Sequence, residues 1–273
     1  MIFYFSGTGN SAWAARTLAH GLNEPLISMA EALKTGEMSF KFEREETIGF
    51  VFPTYGWDLP PIVRTFIENV ELCSKQLHSQ DGTKQIKEVQ YTYFVTTCGD
   101  DTGRLLRRTR QTLSKRGLHL DSAWTILMPD SYVFLPGFDV DRPTLKKAKL
   151  ADAPIRLQTI LRQISERQRG IFDVLPGHFA YTKTYILGGL FRRYMMKDKP
   201  FHATDQCTRC KICERVCPTS NITVGNEGPQ WHNRCTMCLA CYHHCPHRAI
   251  AYGRQTKNKG QYLHPEAPRT EKA

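Results

Sequence analysis

Two stretches of the chain, Cys207–Pro218 (CTRCKICERVCP) and Cys235–Pro246 (CTMCLACYHHCP), start 28 residues apart and share one spacing, C-x2-C-x2-C-x3-C-P. No other feature restricts the fold as strongly, because thiols at fixed offsets must converge on something and the surrounding chain must wrap it. Eight of the ten cysteines fall in the last 67 of 273 residues. In a reducing compartment such clusters read as metal or redox ligands rather than disulfides. Structural zinc usually takes its cysteines as C-x2-C pairs separated by a longer loop. Here three cysteines come at intervals of three, then a fourth at four, then a proline. A zinc knuckle stays open as the alternative.

The double run resembles the two-cluster bacterial ferredoxins over about residues 200–253. In that family the fourth cysteine of each run ligates the other cluster. The resemblance implies one [4Fe-4S] cluster on Cys207, Cys210, Cys213 and Cys245, and a second on Cys235, Cys238, Cys241 and Cys217. The repeat runs past the cysteines: Ile222 and Ile250 match at the same offset of 28, and NITV and AIAY are expected as paired short strands. One departure stands out. The family often has glycine after the second cysteine of each run, where this chain has Lys211 and Leu239. The backbone is expected to sit differently there and the potential to shift. Five histidines, His202, His232, His243, His244 and His247, crowd this end. A solvated surface is expected, with cluster tuning or proton supply as the sharper alternative.

A ferredoxin-sized unit leaves the first 170 residues to be explained. IFYF (residues 2–5) runs into SGTGNS and then AWAARTLAHGL, where Ala14, Ala15, Leu18 and Leu22 recur at helical spacing. That is strand, tight loop, helix. Gly7 and Gly9 let the backbone curl, while Ser6, Thr8 and Ser11 bring hydroxyls to a helix N-terminus, which favours an anion. There is neither a G-K-[ST] nor a G-x-G-x-x-G fingerprint. An ordinary tight turn is the plain alternative. A second apolar strand, Ile48–Phe52, ends at Pro53, Thr54, Tyr55, Gly56 and Trp57, before a helix begun at Pro60–Pro61. A third strand ends at Thr97, Cys98, Gly99 and Asp100. Core packing is the plain reading of Tyr55 or Trp57 taken singly.

FSGTGNS and the two later loops resemble the FMN-binding loops of the flavodoxins. The resemblance implies an α/β fold with a doubly wound parallel sheet of five strands. It also implies FMN held by Ser6, Thr8, Gly9, Asn10 and Ser11 at the phosphate, by the 53–57 loop with Tyr55 or Trp57 against the ring, and by the 97–100 loop at the flavin edge. Doubly wound sheets bind ligands outside the carboxyl ends of their strands, where all three loops are expected. EPLIS reads as the second strand and SAWTILMP as the fifth. DTGRLLRRTRQTLSKRG reads as a helix capped at Asp101 or Thr102 and ended by Gly117. The helical stretch from Asp141 to Gly170 is expected to break or kink near Pro154. Residues 171–199 match neither unit; their mix of apolar and basic residues is expected to dock between domains, with membrane contact the less favoured reading. The stretch 254–273 is expected as a loose polar tail. Cys73 is expected as a plain buried or reduced thiol, and Cys98 beside the flavin.

Hydrophobic residues make up 41% of the chain, enough to bury a core. The net charge of +11 is uneven: residues 1–170 hold 22 Lys and Arg against 19 Asp and Glu, and 171–273 hold 15 against 7. Cluster thiolates would offset much of that excess. With no recognisable nucleic-acid module, nucleic acid is not an expected partner. No basic-then-apolar leader and no apolar run near ~18 residues is present, so a cytoplasmic protein is expected. Flavin handles electrons in pairs or singly, and a cluster passes one. The chain therefore resembles flavodoxin–ferredoxin fusion proteins, which implies an electron relay with a redox partner protein or a small donor or acceptor. A flavin-dependent oxidoreductase acting on a small substrate or quinone, and an iron–sulfur redox sensor, are the alternatives. No catalytic side-chain pair is evident.

Overall fold

The computed structural model describes residues 1–42, 47–74, 89–135 and 137–267. The first part of the chain alternates strand and helix: β1 (Ile2–Tyr4), α1 (Asn10–Leu22), β2 (Leu26–Ser28), α2 (Met29–Thr35), β3 (Ser39–Phe42), β4 (Thr47–Pro53), α3 (Pro61–Asn69), β5 (Glu71–Ser74), β6 (Tyr91–Cys98), α4 (Leu105–Ser114), β7 (Ser122–Leu127), α5 (Pro143–Ser165) and β8 (Phe172–Asp173). Strands covered on both faces need nearly continuous apolar runs. β6 (YTYFVTTC) is buried throughout, and β4 (TIGFVFP) is buried up to its last residue. Side chains alternate between the faces: Phe3, Phe50 and Phe52 join α3 and α4 on one side, while Ile2, Tyr93 and Trp124 join α1 and α5 on the other.

The sheet order is β2-β1-β4-β6-β7-β8, and every neighbouring pair is parallel. β3 and β5 pair with each other in a separate parallel ribbon. Without them the order is the doubly wound 2-1-3-4-5, whose switch point lies between β1 and β4. A sixth strand is added where five are expected. β8 lies beyond residue 170 and pairs with Ala123 and Trp124 of β7. Its two residues are too short a run to leave a hydrophobic pattern.

Two helical expectations change. α5 runs unbroken from Pro143 to Ser165 through Pro154, which sits on the exposed side. Proline removes one helical hydrogen bond there without ending the helix. α4 is capped neither by Asp101 nor by Thr102: the amide of Arg104 donates to Thr184 Oγ1 at 2.9 Å, from much later in the chain. Gly117 does follow the helix end, in the left-handed conformation (φ 71°).

Residues 182–195 are helical, with wide π-type turns at Thr182–Leu187 and Phe191–Met195 flanking α6 (Gly188–Leu190). The small unit follows: β9 (Phe201–Ala203), α7 (Ile212–Arg215), β10 (Ile222–Gly225), β11 (Gly228–Trp231), α8 (Ala240–His243) and β12 (Ile250–Tyr252). NITV and AIAY both contribute strands, but they do not pair with each other. β10 pairs with β11 and β12 with β9, each antiparallel, so each cysteine run has its own ribbon. The unit's core takes in Val133 and Phe134 from the loop after β7. Phe134 stacks on Tyr252 at 4.2 Å and meets Phe201 edge-on at 5.2 Å.

The tail is held rather than loose. Tyr262, His264 and Ala267 are buried, and Gln261 Nε2 donates to the carbonyls of Tyr242 and Cys245. Aromatic residues spaced within a polar stretch carry no periodic signal, and their partners are distant in sequence. Residues 268–273 lie outside the described residues.

Candidate metal centres and the loops beneath them

The eight cysteines of the repeat fall into two groups of four. One hollow is lined by Cys207, Cys210, Cys213 and Cys245. A second is lined by Cys217, Cys235, Cys238 and Cys241. Each group takes three thiols from one run and the fourth from the other. Among the described residues, no three or more His, Cys, Asp or Glu side chains gather as they would around a single ion. A tetrahedral zinc needs four sulfurs each about 2.3 Å from one centre; a cube-shaped cluster needs them spread around it. Burial pushes the Cys213 thiol up to about 12, and the thiols of Cys207, Cys245 and Cys210 push the same way. Burial likewise pushes Cys235 up to about 12, with Asp198 and Cys217 adding to it. Thiolates are stable at such places only against positive metal, so the donor set fits a cluster.

The local backbone explains the repeated spacing. Lys211 (φ 61°, ψ 9°) and Leu239 (φ 61°, ψ 8°) hold the same left-handed conformation and lead into the single turns α7 and α8. Arg209 and Met237 are left-handed too. The backbone therefore does not depart where glycine is missing; two side-chain-bearing residues carry glycine's conformation, at a strain of about 1 kcal/mol each. Amides bond to sulfur at matching offsets: Asn221 N donates to Cys217 Sγ and Ala249 N to Cys245 Sγ, both at 3.2 Å.

The two hollows face different surroundings. The outer one, at Cys207, Cys210, Cys213 and Cys245, is bordered by exposed Thr208, Arg209, Lys211 and His247, with Arg248 exposed next in sequence. None of the residues lining the inner hollow is exposed. The inner run lies against the carboxyl ends of the sheet strands. The Cys238 side chain packs on the core that holds Phe3 and Phe66, and Ile62 N at the start of α3 donates to Thr236 Oγ1 at 3.4 Å. A Cβ placed on Gly7 would come within 2.3 Å of the Cys238 carbonyl oxygen, so only glycine permits this approach.

All three loops read from the sequence meet at this end of the sheet. Ser11 Oγ and Thr97 Oγ1 are 2.7 Å apart. Thr54 N donates to the Thr97 carbonyl at 2.8 Å, and Thr54 Oγ1 lies 3.0 Å from Thr96 Oγ1. Pro53 is in register beside Thr97. Several polar groups of the first loop are paired within the protein, however. Gly9 N donates to Ser6 Oγ at 3.1 Å. Thr8 accepts on its carbonyl from His264 N at 2.9 Å. Asn10 donates to the Pro129 carbonyl and accepts from Tyr262 Oη at 2.7 Å. A Cβ on Gly9 would meet Ala267 and His264 at 2.7 and 3.0 Å, and His264 stacks on Trp13. Cys238 stands over Gly7, and the tail over Gly9. In this arrangement the first loop does not fit an FMN phosphate.

Of the expected ring-stacking residues, Tyr55 meets Phe5 edge-on and faces the inner thiols. Burial pushes its phenol well above the usual range, with Cys238 and Cys235 adding to it. Trp57 and Gly56 are under the 182–195 helix: Thr184 Oγ1 donates to the Trp57 carbonyl at 3.3 Å, and the Phe191 ring covers Gly56. In the third loop, Lys149 Nζ donates to the Gly99 carbonyl at 2.7 Å. Cys98 is buried and its thiol is pushed up to about 12 by burial. Asp100 is exposed. Cys73, expected as a plain thiol, is exposed on β5.

Two features escaped the sequence. Asp58, fully buried, is surrounded by Arg64, Arg108 and Arg192 at 3.0–3.3 Å. It fastens the 53–57 loop to α3, α4 and the late helix, and nothing local announces partners so far apart. His243, expected at a solvated surface, is buried. Its Nδ1 accepts from Tyr262 N at 3.1 Å, so Nε2 carries the proton and donates to the Ser131 carbonyl at 2.7 Å. Burial holds it neutral, down to about 4. His202, His232 and His247 are exposed as expected.

No curated protein matches the chain. Among solved structures, the Trp repressor binding protein from Bacillus subtilis is similar at 12% identity and a TM-score of 0.36, over 62% of this chain and 99% of its own. Residues 206–250, which hold both cysteine groups except for the wrapping elements around them, match the family model of the 4Fe-4S dicluster domain, and the chain therefore carries an iron–sulfur dicluster domain at this end.

Proposed function

We propose that the protein is an iron–sulfur electron-transfer protein with two [4Fe-4S] clusters, one on Cys207, Cys210, Cys213 and Cys245 and the other on Cys217, Cys235, Cys238 and Cys241. The observation that carries this is the division of the eight thiols into two hollows, each completed by a cysteine from the opposite run. A [4Fe-4S] cluster takes up and releases one electron at a time. The chain's part is to bind, shield and tune. Ile212, Val224, Ala249 and Ile250 line the outer hollow, and Phe201, Ile222 and Leu239 the inner one. The amides of Asn221 and Ala249 donate to ligand sulfurs, which raises a cluster's potential. The exposed cations Arg209, Lys211 and Arg248 around the outer set favour an acidic redox partner or an anionic small donor there.

A second reading, an FMN relay in a flavodoxin–ferredoxin fusion, is favoured by the convergence of the three loops at the switch point of the sheet. It requires residues 261–267 to leave the first loop. One experiment separates the readings: anaerobic purification with iron, sulfide and FMN quantified, then stepwise reduction followed by EPR. About eight irons and eight sulfides per chain without FMN support the cluster relay. One FMN per chain in addition supports the flavin reading. Two zincs and no sulfide defeat both.

A further inference from the structure

The helix over residues 182–195 is inverted for a surface helix. Apart from Phe191, whose ring covers Gly56, its inward contacts are small and polar. Thr184 is buried, bonded to the Arg104 amide and to the Trp57 carbonyl. Gly188 packs on the Gly56 carbonyl. Lys183 pairs with Asp101, and Arg192 with buried Asp58. These contacts fix which face points out, and that face is apolar. Of the eleven large apolar side chains exposed among the described residues, seven lie between Leu175 and Tyr194, and Phe179 is 81% exposed. A helix in water normally turns such a stripe to the core. A contiguous exposed stripe marks a surface that meets something other than water.

The charge pattern says what. From Val174 to Lys197 there is no Asp or Glu, while Lys183, Arg192, Arg193 and Lys197 are all cationic. Arg193, Lys197 and the adjacent Lys199 are exposed. Aliphatic Ile186, Leu187 and Leu190 occupy the middle, with Phe179 and Tyr181 before them and Tyr194 after. Aromatic rings with a polar edge and long cationic side chains settle at the headgroup level of a bilayer, and aliphatic chains just beneath it. A second copy of this chain fits less well, since a two-fold contact would set the same cations against each other. No helix among the described residues is long and apolar enough to cross a membrane, so the contact is with a surface.

We infer that the outward face of the 182–195 helix docks on an anionic lipid bilayer, lying in the plane of the headgroups. The helix covers Gly56 and Trp57, just past the carboxyl end of β4, so docking sets the bilayer on that side of the molecule. The lipid contact itself does not depend on what the thiols hold.

The test is cosedimentation of the full-length, anaerobically purified chain with large vesicles of phosphatidylcholine, with and without roughly one third phosphatidylglycerol. Binding to the anionic vesicles is expected to exceed binding to the neutral ones at least about tenfold at low salt. Leu187→Glu/Leu190→Glu is expected to lower it at least about tenfold with iron content and circular dichroism unchanged, because both side chains are exposed. Arg193→Glu/Lys197→Glu is expected to remove the preference for anionic lipid. Wild-type chain left in the supernatant at both compositions overturns the inference. So does a Leu187→Glu/Leu190→Glu variant that sediments like the wild type. Self-association that this variant abolishes, without vesicle binding, gives the face to a second copy and overturns it equally.

Discussion

The outer and inner cysteine sets begin as nearly the same sentence. CTRCKICERVCP and CTMCLACYHHCP share spacing, proline, left-handed residues and a single following turn. They end in different settings. The outer run puts Arg209, Lys211 and Arg215 at the surface. The inner run substitutes Met237, Leu239 and His243, all buried, and lies against the carboxyl ends of a parallel sheet. One motif thus yields a set that meets solvent and a set that meets the protein. The difference lies in the residues between the cysteines, which hold no metal but decide which side is covered.

Replacing equivalent ligands should have the largest effect and test that contrast directly. Cys210→Ser and Cys238→Ser each remove the second cysteine of a run. Both are expected to cost about half the iron. Only Cys238→Ser is expected to loosen the α/β unit as well, seen as a broadened or lowered thermal transition, because Cys238 also packs on its core. Equal melting of the two variants would break the comparison.

Next comes the seam. Gly7→Ala forces a Cβ to 2.3 Å from the Cys238 carbonyl and is expected to cost about 3 kcal/mol in chemical denaturation. Gly189→Ala, with nothing within 4 Å, is expected to be neutral or slightly stabilising. A tolerated Gly7→Ala would mean that the inner run does not seat on the first loop.

The rim charges should matter to rate more than to stability. With Arg209→Glu/Arg248→Glu, stopped-flow reduction by anionic dithionite is expected to slow about tenfold at low salt, and reduction by a viologen radical cation to quicken. Both differences should fade at high ionic strength. Rates insensitive to the reversal would move the electron port away from the outer set.

The smallest effect is also the sharpest, because it compares one backbone conformation in two places. Lys211→Gly relieves left-handed strain at an exposed position and is expected to stabilise by about 0.5–1 kcal/mol. Leu239→Gly relieves the same strain but removes a buried side chain worth about 2 kcal/mol, so its net effect should be destabilising. Opposite signs at the same φ of 61° would separate backbone strain from burial.

Much of this was legible before any coordinate. The spacing within each cysteine run is local and stands in the letters; the exchange of the fourth cysteine between runs is what the resemblance to two-cluster ferredoxins implies. β1, β4, β6 and β7 could be read because strands buried on both faces leave continuous apolar runs. The three loops were legible as sequences, and they do meet. Their covering was not. The tail looks polar in composition, yet Tyr262 and His264 find partners at Asn10 and Trp13. Asp58 looks like any loop carboxylate until three arginines from three helices close on it.

By itself, the sequence determined the two cysteine runs, the spacing within each and the alternation of strand and helix, since each depends on neighbours within a dozen residues. Only the tertiary structure decided that the inner set seats on Gly7, that the tail closes the first loop, and that the 182–195 helix turns its apolar side outward. Those outcomes depend on shape meeting shape across the whole chain, where the space one residue leaves is filled by another that no local pattern names.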